Sequence, residues 1–108
     1  MTRSVVELNK SNFEQEVLGA VKPVLVEFWA GWSSPCQAMA PIVESIAGDE
    51  HAPVKVARVN VEHQEILAEE YGVRGVPTLL IFHHGGLQDQ IVGRATEREV
   101  REKLWRYV

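Results

Sequence analysis

The sequence predicts an α/β fold in which four helices flank a central mixed sheet of five strands. Two near-continuous apolar runs, residues 24–29 and 78–82, are typical of strands buried on both faces. Segments with apolar residues at helical spacing separate most strands, and such crossovers favour parallel pairing. A glycine-rich turn at residues 83–86 predicts an antiparallel hairpin before the last helix. The predicted order is β-α-β-α-β-α-β-β-α.

The first predicted elements precede the buried strand at residues 24–29. A short apolar stretch at residues 5–8 predicts the first strand. The Ser11-x-x-Glu14 pattern has the form of a capping box and predicts a helix to about Leu18. The buried strand that follows is interrupted only by Glu27.

The middle of the chain predicts a helix, a strand and a second helix. Apolar residues at helical spacing predict a helix over residues 35–48, with Pro41 inside it. Residues 54–61 alternate between apolar and polar, which is typical of a strand. The next helix is predicted at residues 66–71 and ends at Gly72.

The last part of the chain predicts the hairpin and the final helix. The strand at residues 78–82 turns through His83-His84-Gly85-Gly86 into a returning strand at residues 87–92. The Thr96-x-x-Glu99 pattern is a second capping box and begins the last helix. The apolar stripe of that helix comprises Val100, Leu104 and Val108, and Trp105 is expected in the core beside it.

Length, charge and composition bound the classes of function. A chain of 108 residues is typical of one domain, so residues 1–108 are expected to form a single domain. The net charge of −4, with both signs interspersed, suggests neither a nucleic-acid nor an anionic-membrane partner. No apolar run approaches the roughly 20 residues of a membrane span, and the first residues lack the apolar core of a signal peptide. We expect a cytoplasmic monomer.

A single cysteine, Cys36, lies near the start of the helix predicted at residues 35–48, and the residue three positions before it is Ser33. Thiol–disulfide exchange needs one sulfur to attack and a second to resolve the mixed disulfide. The segment therefore has the surroundings of a dithiol site without the second thiol. The His83-His84 pair lacks the further ligands at the spacing of a zinc site, so no metal site is predicted.

Several separated motifs, in the same order, make the chain resemble the thioredoxin family along essentially its whole length. The first is similar to the family's active-site segment, and the others to the helix after it, the cis-proline segment and the glycine that faces the site. These motifs are Phe28-Trp29-Ala30-x-Trp32-x-x-Pro35-Cys36, Ala40-Pro41-Ile42, Tyr71-Gly72-Val73-Arg74-Gly75-Val76-Pro77-Thr78-Leu79 and Val92-Gly93.

The resemblance implies the thioredoxin fold and the reduction of protein disulfides in the cytoplasm, with re-reduction by a thioredoxin reductase-like protein. It implies no cofactor in the chain itself. The family's attacking cysteine falls at Ser33, its resolving cysteine at Cys36 and its buried proton-relaying carboxylate at Glu27. A cis bond at Val76–Pro77 would leave the Val76 backbone free to pair with an extended protein segment. The implied substrate-binding residues are Trp32, Ser34, Pro35, Gly75, Val76, Gly93 and Ala95.

Four positions depart from the family pattern. Ser33 replaces the attacking cysteine, Ser34 the glycine after it, Glu27 the usual aspartate and Arg58 the lysine that accompanies that aspartate. Serine just before a proline in the first helical turn is a favoured N-cap. We favour that interpretation of Ser33 over a nucleophilic serine, which needs a base to activate it.

Cys36 and Glu27 each have two interpretations. Cys36 is either an inert buried thiol, which we favour because reactivity needs access, or a monothiol that forms mixed disulfides. A carboxylate in a buried strand is costly unless it is paired or neutral. Arg58, on the neighbouring predicted strand, can pair with Glu27, and we weigh a satisfied ion pair equally with a residual proton-relay role.

The departures leave three functional hypotheses. The first is a redox-silent family member that binds extended protein segments in the groove beside Pro77. The second is an ordinary disulfide oxidoreductase with an engineered Cys-to-Ser change at Ser33, and the third a monothiol acting through Cys36. Whether the chain is an enzyme depends on which of these holds. Trp32, in a loop, is expected to be exposed and to mark the contact surface.

Overall fold

A computed structural model describes residues 5–108, which form a mixed five-stranded sheet flanked by helices. The strand order is β1-β3-β2-β4-β5, with β1 and β2 parallel to β3, β4 antiparallel to β2, and β5 antiparallel to β4. The mixed five-stranded sheet predicted from the sequence is confirmed. The strands are β1 (Val6–Glu7), β2 (Val24–Trp29), β3 (Lys55–Asn60), β4 (Thr78–His83) and β5 (Gly86–Val92).

Four helical segments flank the sheet, as predicted. The first is a π-helical segment at Glu14–Leu18, and the α-helices are α1 (Ser34–Ala47), α2 (Glu65–Glu70) and α3 (Glu97–Leu104). A 3₁₀ turn at Trp105–Tyr107 follows α3. Within residues 5–108, no helix is both long and apolar enough to cross a membrane.

The two faces of the sheet carry separate apolar clusters, because successive side chains of a strand point to opposite faces. One cluster joins Val24, Val26 and Phe28 of β2 to side chains from the π-helical segment and α2. The other joins Leu25 to side chains from α1 and α3, chiefly Met39, Val43, Ile46, Val100 and Leu104. Glu27 lies two residues beyond Leu25 and so faces the side of α1 and α3.

The first predicted capping box does not form, and an asparagine turn takes its place. Asn9 Oδ1 accepts hydrogen bonds from the amides of Ser11 and Asn12 at 2.8 and 3.0 Å, and the Asn9 amide donates to Asn12 Oδ1 at 2.8 Å. An asparagine side chain reaches the backbone two residues on more readily than serine does. The second capping box is confirmed, with the Glu99 amide donating to Thr96 Oγ1 and the Thr96 amide to Glu99 Oε1, each at 3.1 Å.

The β4–β5 turn and the end of α3 differ in how well the sequence predicts them. His84 and Gly85 form the two-residue hairpin turn, both with positive φ as a type I′ turn requires. The prediction that Trp105 lies in the core is wrong, because 37% of its surface is exposed, and Val108 is also exposed. The tighter 3₁₀ turn after Leu104 rotates both residues away from the apolar stripe of α3.

Candidate functional site

The candidate site lies where β2 ends and α1 begins. Ser33 has an extended backbone, and its Oγ accepts a hydrogen bond from the Cys36 amide at 3.3 Å. Pro35 occupies the first helical turn, where its missing N–H is no loss. The N-cap predicted for Ser33 is therefore present. Only 3% of Ser33 is exposed, so its hydroxyl is committed to the helix terminus and closed to solvent.

Cys36 is the only sulfur available for thiol chemistry, and it lies in the first turn of α1. It is a free thiol with 3% of its surface exposed. A thiol must reach its target sulfur to exchange with it. The burial of Cys36 therefore favours the inert thiol over the monothiol.

Glu27 and Arg58 form an ion pair across neighbouring strands. The β2–β3 register places them side by side, and Arg58 Nε donates to Glu27 Oε1 at 2.9 Å. Glu27 is fully buried, and its Oε2 has no hydrogen-bond partner among residues 5–108. Burial raises the pKa of Glu27, and the adjacent Arg58 guanidinium opposes that rise. The pairing predicted from strand alternation is confirmed.

Trp29 covers the Arg58 side of this pair. The Arg58 guanidinium carbon lies 4.3 Å from the centre of the Trp29 ring, a cation–π arrangement. The buried Trp29 indole Nε1 has no hydrogen-bond partner within the described residues. Because arginine does not release its proton in proteins, Glu27 is the one group of this cluster that titrates.

Pro77 begins the second part of the site. The Val76–Pro77 peptide bond is cis, and Pro77 is buried. The Pro77 carbonyl accepts a hydrogen bond from the Gly93 amide at 2.9 Å, and Gly93 has a φ of +85°, which suits glycine. Neither the N–H nor the C=O of Val76 makes a backbone hydrogen bond within residues 5–108.

An apolar depression next to Val76 joins these two parts. Its volume is about 140 Å³, and we call it the Trp32 hollow. Trp32 is 72% exposed, as predicted from its place in a loop, and Gly75 and Val76 line the same hollow. The residues that line the Trp32 hollow are Trp32, Val61, Ala68, Val73, Arg74, Gly75 and Val76.

The other predicted substrate-binding residues lie outside the hollow. Gly93 contacts Pro77, whereas the Ala95 amide donates to Met39 Sδ at 3.5 Å. Ser34 and Pro35 are exposed in the first turn of α1. The sequence did not predict four lining residues that come from just after β3, from α2 and from the segment before Gly75, namely Val61, Ala68, Val73 and Arg74.

The histidine pair forms no metal site with its neighbours. The His83 and His84 rings stack with their centres 3.7 Å apart. Across residues 5–108, no group of three or more histidine, cysteine, aspartate or glutamate side chains is arranged to hold a metal ion.

Comparison with known proteins decides the family. The sequence profile of the family described as Thioredoxin matches residues 4–106. The chain belongs to the thioredoxin family. It is 36% identical over 105 residues to a thioredoxin from Porphyra purpurea, covering 97% of this chain and 98% of the relative. It is 41% identical over 95 residues to thioredoxin C-2 from Corynebacterium nephridii, covering 88% of each chain.

A solved structure supports the same assignment. A mutant thioredoxin from Halobacterium salinarum superimposes with a TM-score of 0.88 at 33% sequence identity, covering 96% of this chain and 90% of that one. The thioredoxin fold predicted from the motifs is confirmed. Within this family, the chain has one cysteine, buried in the first turn of α1, and Ser33 caps the helix above it.

Proposed function

We propose that this thioredoxin-family chain does not turn over disulfides and instead binds extended protein segments beside Pro77. The observation that carries the proposal is the state of the two exchange positions. Ser33 Oγ is engaged by the Cys36 amide, and both residues are 3% exposed. A cycle of attack and resolution needs two cysteine thiols, and the chain has one.

The binding half of the proposal needs no sulfur. An exposed tryptophan beside an apolar depression is typical of a contact surface. The N–H and C=O of Val76 have no backbone partner in the described part of the chain, which suits the addition of an extended strand. In that mode main-chain hydrogen bonds provide affinity and side-chain pockets provide selectivity. The Trp32 hollow, at about 140 Å³, accommodates one apolar side chain of such a segment.

Membership of the thioredoxin family supports our proposals for the partners and the compartment. Protein segments are the proposed ligands, and a thioredoxin reductase-like protein is a further proposed partner because it would meet the same surface. We place the chain in the cytoplasm and expect it to act as a monomer. Both are proposals that rest on the sequence and on the family.

An NMR titration tests the binding proposal without disulfide chemistry. The probe is reduced insulin B chain with its cysteines carboxymethylated, added to the ¹⁵N-labelled chain. We expect saturable shifts concentrated at the Trp32 indole and at the amides of Gly75, Val76 and Gly93. Trp32→Ala should weaken binding about tenfold, as the loss of a central aromatic contact does.

A variant on the opposite side of the molecule provides the control. Val21 is 89% exposed and lies before β2, at the far end of that strand from Trp29. Val21→Ala should leave the affinity unchanged. Absence of shifts, or shifts spread evenly over the surface, would count against the groove as a binding site.

A further inference from the structure

Two arginines beside Pro77 are free of ion pairs, unlike the other arginines that the structure describes. Arg74 and Arg94 are exposed, and neither forms an ion pair or a side-chain hydrogen bond with any residue from 5 to 108. The arginines that pair with carboxylates are Arg58, Arg98, Arg101 and Arg106. The chain has a net charge of −4, yet these two guanidinium groups pair with no carboxylate of the described residues. They can therefore pair with carboxylates of a bound partner.

The backbone on both sides of Arg74 is fixed, although its side chain is free. The Val73 amide donates to the Ala68 carbonyl at 2.9 Å, and Thr78 Oγ1 donates to the Gly75 carbonyl at 2.7 Å. Arg74 also lines the Trp32 hollow. A carboxylate on a segment bound in that hollow therefore lies near the side chain of a residue whose backbone neighbours are hydrogen-bonded on both sides.

The residues on both sides of Arg94 are also hydrogen-bonded, and one of these bonds is to Pro77. The Gly93 amide donates to the Pro77 carbonyl at 2.9 Å, and the Ala95 amide donates to Met39 Sδ at 3.5 Å. The two arginines thus lie on the two loops that meet at Pro77. Each of these two loops therefore carries one exposed arginine.

Acidic side chains near Arg74 restrict where a partner carboxylate can lie. Arg74 also lines an adjoining depression that contains Glu65 and Glu69, neither of which is within ion-pair distance of it. A carboxylate placed in that depression would be repelled by both glutamates. A partner carboxylate is therefore best placed close to the apolar side chain in the Trp32 hollow and away from the depression that contains Glu65 and Glu69.

We propose that the groove selects extended protein segments in which an apolar residue is flanked on both sides by aspartate or glutamate. The apolar side chain occupies the Trp32 hollow, and the flanking carboxylates pair with Arg74 and Arg94. This selectivity rests on the proposed binding function and adds the class of segment that is bound. Charge complementarity of this kind sets the choice of partner more than it sets the total affinity.

The test is a selection from a displayed library of random cysteine-free decapeptides on the immobilised full chain. Enriched peptides should carry an apolar residue with aspartate or glutamate within about two positions on each side. Selection on an Arg74→Glu, Arg94→Glu double variant should shift this preference to lysine and arginine. Both positions are exposed, so the double variant is expected to fold.

Affinities of one enriched acidic peptide then give the size of the effect. Each reversal, Arg74→Glu or Arg94→Glu, should weaken binding about fivefold at low ionic strength, the upper range for exposed charge pairs, and added salt should reduce the difference. Lys22→Glu is the matched control, because Lys22 is exposed, has no ion pair within residues 5–108 and precedes β2 at the end away from Trp32. It should change the affinity less than twofold, the scale of a long-range screened charge.

The outcomes separate the selectivity from the binding function beneath it. Two results would overturn the selectivity but not the binding function. One is the enrichment of peptides that carry an apolar residue without neighbouring acidic residues. The other is an equal loss of affinity from Lys22→Glu and from Arg74→Glu. Failure to enrich any peptide that competes for the Trp32 hollow would overturn both.

Discussion

Removing the buried carboxylate of Glu27 should cost little stability, although the residue lies in the centre of β2. Glu27→Ala deletes one methylene group, Cγ, whose burial is worth about 0.8 kcal/mol, together with the carboxylate. It also removes a carboxylate oxygen, Oε2, that is buried with no hydrogen-bond partner among the residues described and that costs about 1–3 kcal/mol in the folded state. The hydrogen bond from Arg58 is lost as well, at a cost of about 1.5 kcal/mol, so the losses and the gain nearly cancel.

Whether the change in the free energy of unfolding stays small depends on Arg58, which loses its ion-pair partner in this variant. Breaking a buried ion pair is expensive when the remaining charge has no access to water. Arg58 keeps such access, because 20% of its side chain is exposed, and its cation–π contact with Trp29 does not depend on Glu27. We therefore expect Glu27→Ala to change the free energy of unfolding by no more than about 1 kcal/mol in either direction.

Leu25→Ala is the matched comparison, because Leu25 is fully buried two residues earlier on the same face of β2. This variant should lose about 2–5 kcal/mol, the usual cost of a large core truncation. Urea unfolding at pH 7 measures both variants, and equal slopes would show that the denatured states are comparable. A loss from Glu27→Ala as large as that from Leu25→Ala would refute the reasoning and make Glu27 the support of a stabilising network.

Glu27, Ser33 and Cys36 each provide one further prediction. Because burial raises the folded-state pKa of Glu27 above its unfolded value of 4.5, unfolding releases a proton between these values, so stability should fall as the pH rises through that window. Glu27→Gln should abolish this slope in urea unfolding at several pH values, and an unchanged slope would assign it to another group. Ser33→Cys should confer insulin-disulfide reduction by dithiothreitol, because it restores the second sulfur next to Cys36, whereas Ser34→Cys should confer much less. Native Cys36 should gain no glutathione mass from oxidised glutathione while the urea-unfolded chain does, since burial blocks access; rapid modification of the native thiol would support the monothiol.

Features that depend on near neighbours in sequence or on strand alternation are predictable from the sequence. Ser33 is recognisable as an N-cap because a serine before Pro35 in a first helical turn has few other uses. The Glu27–Arg58 pair is predictable because the two strands are expected to be neighbours in the sheet, and the structure places the two residues in register. The Thr96 capping box is equally local, since both partners lie within one turn of helix.

The sequence does not predict features that depend on which of two possible caps forms or on the packing of segments distant in the chain. Asn9 and Ser11 both suit the start of the first helix, and only the folded chain shows that Asn9 takes the amides. Val61 and Ala68 meet in the Trp32 hollow because β3 and α2 pack there, which no local pattern reveals. That Arg74 lacks an ion pair becomes visible only once the positions of the acidic side chains are known.

The rate at which the unaltered chain accelerates insulin-disulfide reduction by dithiothreitol tests the central claim most directly. With a single, buried thiol, the chain should add nothing to the rate of dithiothreitol alone, even at concentrations that saturate binding of carboxymethylated B chain. A rate that rises in proportion to the chain's concentration, and that Cys36→Ser abolishes, would contradict the account.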